Sequence, residues 1–150
     1  MKQTVVYIHG KGGTIQEADH YRSILDRYDV IGFDYRSDNP WDAKIEFNAY
    51  MNDLCKERGK VILIANSIGA YFSMCSFNEK QIEKAFFISP IVDMEKLIRN
   101  MMMWSNVTED KLREKGETET DFRGNSFLGL SAICHRTSYQ MECSDIHPVW

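Results

Sequence analysis

Val61-Ile62-Leu63-Ile64-Ala65-Asn66-Ser67-Ile68-Gly69-Ala70 is the stretch on which the reading of the whole chain turns. The unbroken apolar run from Val61 to Ala65 marks a strand buried on both faces, as in a parallel sheet covered by helices. From Ile68 to Phe77 the pattern is helical. A serine held on a sharp strand-to-helix turn exposes its hydroxyl, which is otherwise a weak nucleophile. So tight a turn needs small residues two before and two after the serine, and Ala65 and Gly69 fill those places. The start of the following helix brings backbone N–H groups near a developing oxyanion. The plain alternative is a surface serine in a Rossmann-like turn.

Working toward the N-terminus, Thr4-Val5-Val6-Tyr7-Ile8 is a second strand of the buried kind. His9-Gly10-Lys11-Gly12-Gly13-Thr14 breaks it with three glycines, which let a backbone curl close to a ligand. The loop does not have the Gly-x-x-x-x-Gly-Lys-Ser/Thr spacing of a phosphate loop. It also lacks the third glycine of a dinucleotide fingerprint. Nucleotide binding is therefore not expected.

Between and beyond these motifs, strand and helix patterns alternate. Tyr21, Ile24, Leu25 and Tyr28 form a stripe at helical spacing, so a helix is expected to bury all four. Val30-Ile31-Gly32-Phe33 reads as a strand ending at Asp34-Tyr35. Ser37-Asp38-Asn39-Pro40 is a turn with proline placed to open a helix. Phe47, Tyr50, Met51 and Leu54 share one face of that helix, and Gly59 is its expected stop. Ala85-Phe86-Phe87-Ile88, closed by Ser89-Pro90, is the last strand of the series. Right-handed crossovers then give a parallel α/β sheet with helices on both faces, a three-layer sandwich. Asp93 reads as an N-cap before a stripe of Met94, Leu97, Ile98 and Met101. The Met101-Met102-Met103-Trp104 cluster suits helix packing, with a mobile cap over an apolar substrate as the other reading.

Small-x-Ser-x-Gly after a buried strand resembles the nucleophile elbow of the α/β-hydrolase superfamily, with Ala65 in place of the family's first glycine. His9-Gly10 after the first strand resembles the family's oxyanion loop. The resemblance covers about residues 3 to 100, and it suggests a small bacterial serine esterase. It implies the sheet order second, first, third, fourth. It also implies Ser67 as nucleophile and the backbone amides of Lys11 and Ile68 as the oxyanion hole. His9, Gly10 and Gly12 would support the loop, and Ala65 and Gly69 the elbow. The expected function is hydrolysis of an ester-like or related carbonyl substrate, a small molecule. No metal or organic cofactor is implied. The alternative is an inactive fragment or binding module that keeps the fold.

The family's acid and histidine follow the serine, acid first. The histidines after Ser67 are His135 and His147, and neither follows a recognisable strand. Arg123 to Trp150 shows no helical stripe, no alternation and no apolar strand. This tail is expected to be read out of frame and truncated. Met141-Glu142 is encoded by ATG-GAR, so reading one base later forces tryptophan, and Trp150 forces glycine. The free codons between allow Asn-Val-Pro-Thr-Tyr-Ile-Leu-Tyr, which resembles the family's strand leading to its acid. The domain division expected is a core with the start of a cap (about 94–121) over residues 1–122, then an irregular tail over 123–150. The plain alternative is a genuine irregular segment.

Bulk properties agree with one soluble α/β domain. The chain has 150 residues and a net charge of −4, with no basic excess to neutralise phosphates, so neither nucleic acid nor an anionic membrane is an expected partner. Cys55, Cys75, Cys134 and Cys143 form no Cys-x-x-Cys pair and read as free thiols. No apolar run approaches the roughly 20 residues of a membrane span. With no signal-like stretch before the first strand, a cytoplasmic location is expected.

Overall fold

The structure, a computed structural model, describes residues 2–104, 108, 121–122 and 125–126. The chain divides into one unit running to Ile91 and a second beginning at Val92. In the first unit, β1 (Thr4–Ile8), β2 (Asp29–Phe33), β3 (Val61–Asn66) and β4 (Ile82–Ile88) make one sheet in the order β2-β1-β3-β4. All three pairings are parallel, as the crossover rule and the family resemblance require.

Register decides which side chains share a face. Val5 pairs with Val30 and Ile62, and Tyr7 with Ile64, which puts these residues on one side. There they pack with Ala18, Tyr21 and Leu25 of the segment holding α1 (Ala18–Ile24). The opposite side, with Ile8, Phe33 and Leu63, is covered by α2 (Pro40–Arg58) and α3 (Ile68–Ser76). Phe47 of α2 is fully buried at its centre, with ring centroids 5.0 Å from Phe33, 6.1 Å from Phe72 and 5.6 Å from Phe77. The result is a three-layer α/β sandwich.

The ends of α2 follow from its sequence. The Asn39 side chain accepts hydrogen bonds from the Trp41 and Asp42 N–H groups, and Pro40 occupies the first helical position, where its missing donor costs nothing. Gly59 closes the helix at φ +72°, a conformation that suits glycine. Ala43, Phe47 and Met51 are buried, and Tyr50 and Leu54 are half-buried on the same stripe.

Two expectations need correction. The stripe Tyr21, Ile24, Leu25, Tyr28 is only half buried: Tyr21 and Leu25 pack on the core, whereas Ile24 and Tyr28 are exposed. The reason is length, because α1 stops at Ile24 and the chain beyond it turns toward β2. The fourth strand also begins at Ile82 rather than Ala85, with a register shift opposite Val61 and Ile62. Its first half carries Glu83 and Lys84, exposed at the sheet edge, so an apolar criterion misses it.

In the second unit, α4 (Met94–Trp104) begins where expected, and the Asp93 carboxylate accepts the Lys96 N–H at 2.8 Å as an N-cap. Met94 and Ile98 are buried, whereas Met103 is exposed. β5 (Asp121–Phe122) pairs antiparallel with β6 (Asn125–Ser126). Apart from Asn125–Ser126, the tail from Arg123 to Trp150 lies outside the described residues. No helix among the described residues is long and apolar enough to cross a membrane.

Candidate active site

β1 and β3 are neighbouring parallel strands, so the loops after them open on the same edge of the sheet. Ser67 stands at the end of β3 with φ 51° and ψ −118°, a strained conformation for a residue with a side chain. Its N–H donates to the Ile88 carbonyl at 2.9 Å, and its carbonyl accepts the Tyr71 N–H at 3.3 Å. The turn is held from both sides, and Ser67 remains partly exposed. No described residue makes a hydrogen bond to its hydroxyl.

The elbow and the loop after β1 are in close contact. A Cβ built on Gly10 would lie 3.2 Å from Ser67 Cβ. One built on Gly69 would lie 2.3 Å from the His9 carbonyl oxygen. Absence of a side chain at Gly69 is therefore a condition for the helix to start where it does. Ala65 is fully buried, with its neighbour Ile8 across the strand pair.

The loop after β1 is fixed through one peptide. The Gly10 carbonyl accepts His9 Nδ1–H at 2.9 Å and the Gly13 N–H at 3.1 Å. A carbonyl can only accept, so Nδ1 carries the proton of that imidazole. The Gly10 carbonyl and the Lys11 N–H belong to the same planar peptide and point in opposite directions. Holding one aims the other. Gly12 lies at φ +73°, which lets the loop turn back without a Cβ clash. Neither the Lys11 N–H nor the Ile68 N–H makes a hydrogen bond among the described residues.

Three further residues brace this arrangement. The Tyr35 ring stacks on His9 with centroids 4.4 Å apart, and its hydroxyl donates to the His9 carbonyl at 2.9 Å. Burial, then the nearby Asp38 and Glu46 carboxylates, hold the Tyr35 phenol above its usual range. Glu17 accepts Tyr7 O–H at 2.5 Å with one oxygen and the Thr14 N–H at 3.2 Å with the other. Burial and that Glu17 contact raise the Tyr7 phenol too. The Tyr7 hydroxyl also interacts with the Asn66 side chain, one residue before Ser67. Glu17 and Tyr7 thus tie the loop after β1 to the elbow after β3.

Glu17 was not among the residues singled out from sequence, and Tyr35 was noted there only as the end of a strand. The Thr14-x-x-Glu17 spacing is the signal that could have found Glu17. Tyr35 follows a strand end with no motif around it. Asp93 belongs to the cap of α4, as expected, and His135 and His147 lie outside the described residues.

Between the loops after β1 and β2 is an open cleft of about 170 Å³, lined on one side by His9 to Gly12 and on the other by Tyr35 to Asp38. Ile68 and Phe72 of α3 form the remaining wall. Among the described residues no group of three His, Cys, Asp or Glu is placed to hold a metal. Cys55 is a free thiol, and burial pushes it up.

No family model matches the sequence, and no curated protein matches it. Solved structures do match the fold. The lipase BlEst2 of Bacillus licheniformis in its mature form is 18% identical, with a TM-score of 0.58 over 93% of this chain and 61% of that one. A lipase-esterase related protein of Clostridium acetobutylicum is 16% identical, with a TM-score of 0.57 over 97% of this chain and 63% of that one. A protein of Pseudomonas aeruginosa described as a probable hydrolytic enzyme is 11% identical, with a TM-score of 0.50 over 93% and 58%. The chain spans about three fifths of the length of these structures. Its parallel four-stranded sheet, covered by helices on both faces, has the α/β-hydrolase-like fold.

Proposed function

We propose that the chain is a serine hydrolase of the α/β-hydrolase type, acting on ester-like or related carbonyl substrates. The carrying observation is that Lys11 and Ile68, whose N–H groups are both unspent, line one cleft, and that Ile68 directly follows a serine held at φ 51°. Ser67 Oγ attacks the carbonyl carbon, and the carbonyl oxygen takes the negative charge. The two N–H groups stabilise that charge without having to reorganise. Collapse expels the alcohol and leaves an acyl group on Ser67, which water then removes.

The serine proton needs an imidazole acceptor. His9 braces the loop instead: its Nδ1–H holds the Gly10 carbonyl, its ring is buried and stacked on Tyr35, and among the described residues no hydrogen bond joins it to the Ser67 hydroxyl. The acceptor is expected after Ser67, where the chain's histidines are His135 and His147. Without a working histidine and acid, the oxyanion hole and binding alone supply a residual acceleration of about 10³–10⁴ over water.

A second reading, a binding module that keeps the fold and lacks turnover, is favoured by the absence of a described partner for the Ser67 hydroxyl. One experiment separates the two. The purified chain and Ser67→Ala are treated with a neutral fluorophosphonate, and p-nitrophenyl ester cleavage is followed in parallel. Stoichiometric labelling of Ser67 supports a working nucleophile. Absence of labelling, with ester cleavage no faster than for Ser67→Ala, removes the hydrolase reading.

A further inference from the structure

The cleft carries more charge chemistry than a neutral ester needs. Its lining includes three charged residues, Lys11, Arg36 and Asp38. Lys11 Nζ pairs with the Asp38 carboxylate at 3.3 Å, which joins the two walls and cancels that pair's charge. Arg36 is left. Its guanidinium makes no hydrogen bond or ion pair among the described residues. The neighbouring Glu46 does not pair with it, because that carboxylate is committed to the loop's backbone. It accepts the Arg36 N–H at 3.0 Å and the Ser37 N–H at 3.0 Å, and it also accepts the Ser37 hydroxyl.

The walls of this cleft are preformed. Glu46 anchors residues 36–37 from α2, and Tyr35 is locked to His9 by stacking and a hydrogen bond. Arg36 therefore sits on a fixed backbone, along the same cleft as Lys11 and Ile68. Size adds a limit. A cavity of about 150 Å³ accepts a benzene-sized guest, so an open cleft of about 170 Å³ suits a short acyl group. An arginine offers a planar fork of donors matched to a carboxylate.

We propose that this cleft selects short acyl groups ending in a carboxylate, of the succinyl or glutaryl type, with Arg36 reading the terminal carboxylate while the ester carbonyl faces Ser67. The inference rests on the hydrolase reading for its chemistry, but the anion site can be tested without any reaction. Two measurements are made on the full chain.

In the first, Ser67 is labelled by a neutral butyl fluorophosphonate and by its analogue ending in a carboxylate. The expected preference for the anionic probe is about ten- to a hundredfold, the range for a hydrogen bond to a charged group. That preference collapses in Arg36→Ala, reverses in Arg36→Glu and largely survives in Arg36→Lys. In the second, Ser67→Ala is titrated with monomethyl succinate and with methyl butyrate by NMR. Saturable binding of the succinate alone, weakened by added Arg36→Ala, supports the site. Ser67 labelling with no anionic preference, or a preference indifferent to Arg36, overturns the proposal. Arg36-dependent succinate binding with no labelling by either probe keeps the anion site and removes the hydrolase reading. Absence of succinate binding overturns the proposal whatever the labelling shows.

Discussion

Gly69→Ala is the sharpest perturbation of the proposed site, because it adds one methyl group where the turn after β3 and the loop after β1 touch. The new Cβ would lie 2.3 Å from the His9 carbonyl oxygen and 2.9 Å from Ile8 Cγ2. Real Cβ contacts do not fall under 3.0 Å, so the helix start and the end of β1 must separate by about 0.7 Å. Neither side yields easily. His9 O already accepts the Tyr35 hydroxyl, and Ile8 is fully buried in the sheet. Overpacking of this kind costs about 1–3 kcal/mol. With a fall of roughly 2–8 °C in Tm per kcal/mol for domains of this size range, the melting temperature should drop by several degrees. The same shift moves Ile68 N–H away from Lys11 N–H. A misplacement approaching 1 Å can cost about 10²-fold in rate. Thermal denaturation and the rate of fluorophosphonate labelling at Ser67 read the two effects separately. Wild-type melting together with wild-type labelling would refute the claim that these backbones are in contact.

Four other outcomes are expected. Tyr7 and Tyr35 have phenols raised above 10.0 mainly by burial, and Tyr50 is raised by burial as well. A raised folded-state value means their stabilising effect is intact below pH 10 and is lost as pH rises beyond it, by up to about 4 kcal/mol per pH unit if all three contribute; denaturant titrations at pH 9 and 11 measure this, and Tyr35→Phe should flatten the slope. Asn39→Ala removes the acceptor for the Trp41 and Asp42 N–H groups and should cost about 1 kcal/mol, read as a lower denaturation midpoint at unchanged slope. Glu17→Ala leaves the Tyr7 hydroxyl and the Thr14 N–H without their acceptor, so a loss of about 1–3 kcal/mol and slower Ser67 labelling are expected, with Glu17→Gln between. Phe86→Lys places a charge on an exposed edge strand and should raise soluble yield and lower the scattering of concentrated samples, while leaving α2 and its contacts untouched.

The fold was legible wherever a strand is buried on both faces. Thr4–Ile8 is a nearly continuous apolar run and Val61–Ala65 an uninterrupted one, and both are buried as those runs imply. Helix ends were equally readable at Pro40, Gly59 and Asp93, since each acts on backbone within a turn of itself. Legibility falls where exposure depends on what lies across the sheet. Phe86 pairs with Ile64 on the face that α1 covers, yet it is 56% exposed. α1 packs over β1 and β2, and β4 lies at the far edge. Nothing in the local pattern of Ala85-Phe86-Phe87-Ile88 distinguishes that case from a covered strand. The bracing of the site is long-range in the same sense. Tyr35 reaches His9 from 26 residues away and Glu17 reaches Tyr7 from ten, so neither partner is implied by its own neighbours.

The conformation of Ser67 ties these observations together. A non-glycine residue at φ 51° costs about 1–3 kcal/mol, and it persists only if its surroundings determine it from several sides. Here the Ser67 N–H is held by Ile88 at the end of β4, and the very next residue, Ser89, is the other non-glycine residue with positive φ among those described. Two strained serines therefore stand at the ends of adjacent strands. Gly69 packs against His9 on one flank, and Gly10 packs against Ser67 on the other. The strain is thus supported by β1, β3 and β4 together and is no property of the Asn66-Ser67-Ile68 tripeptide. A glycine at position 67 would relieve the backbone and stabilise the fold by this argument. That a serine occupies it, with Lys11 and Ile68, their N–H groups unspent, lining the adjoining cleft, is the physical reason to read the turn as a site for chemistry at a carbonyl.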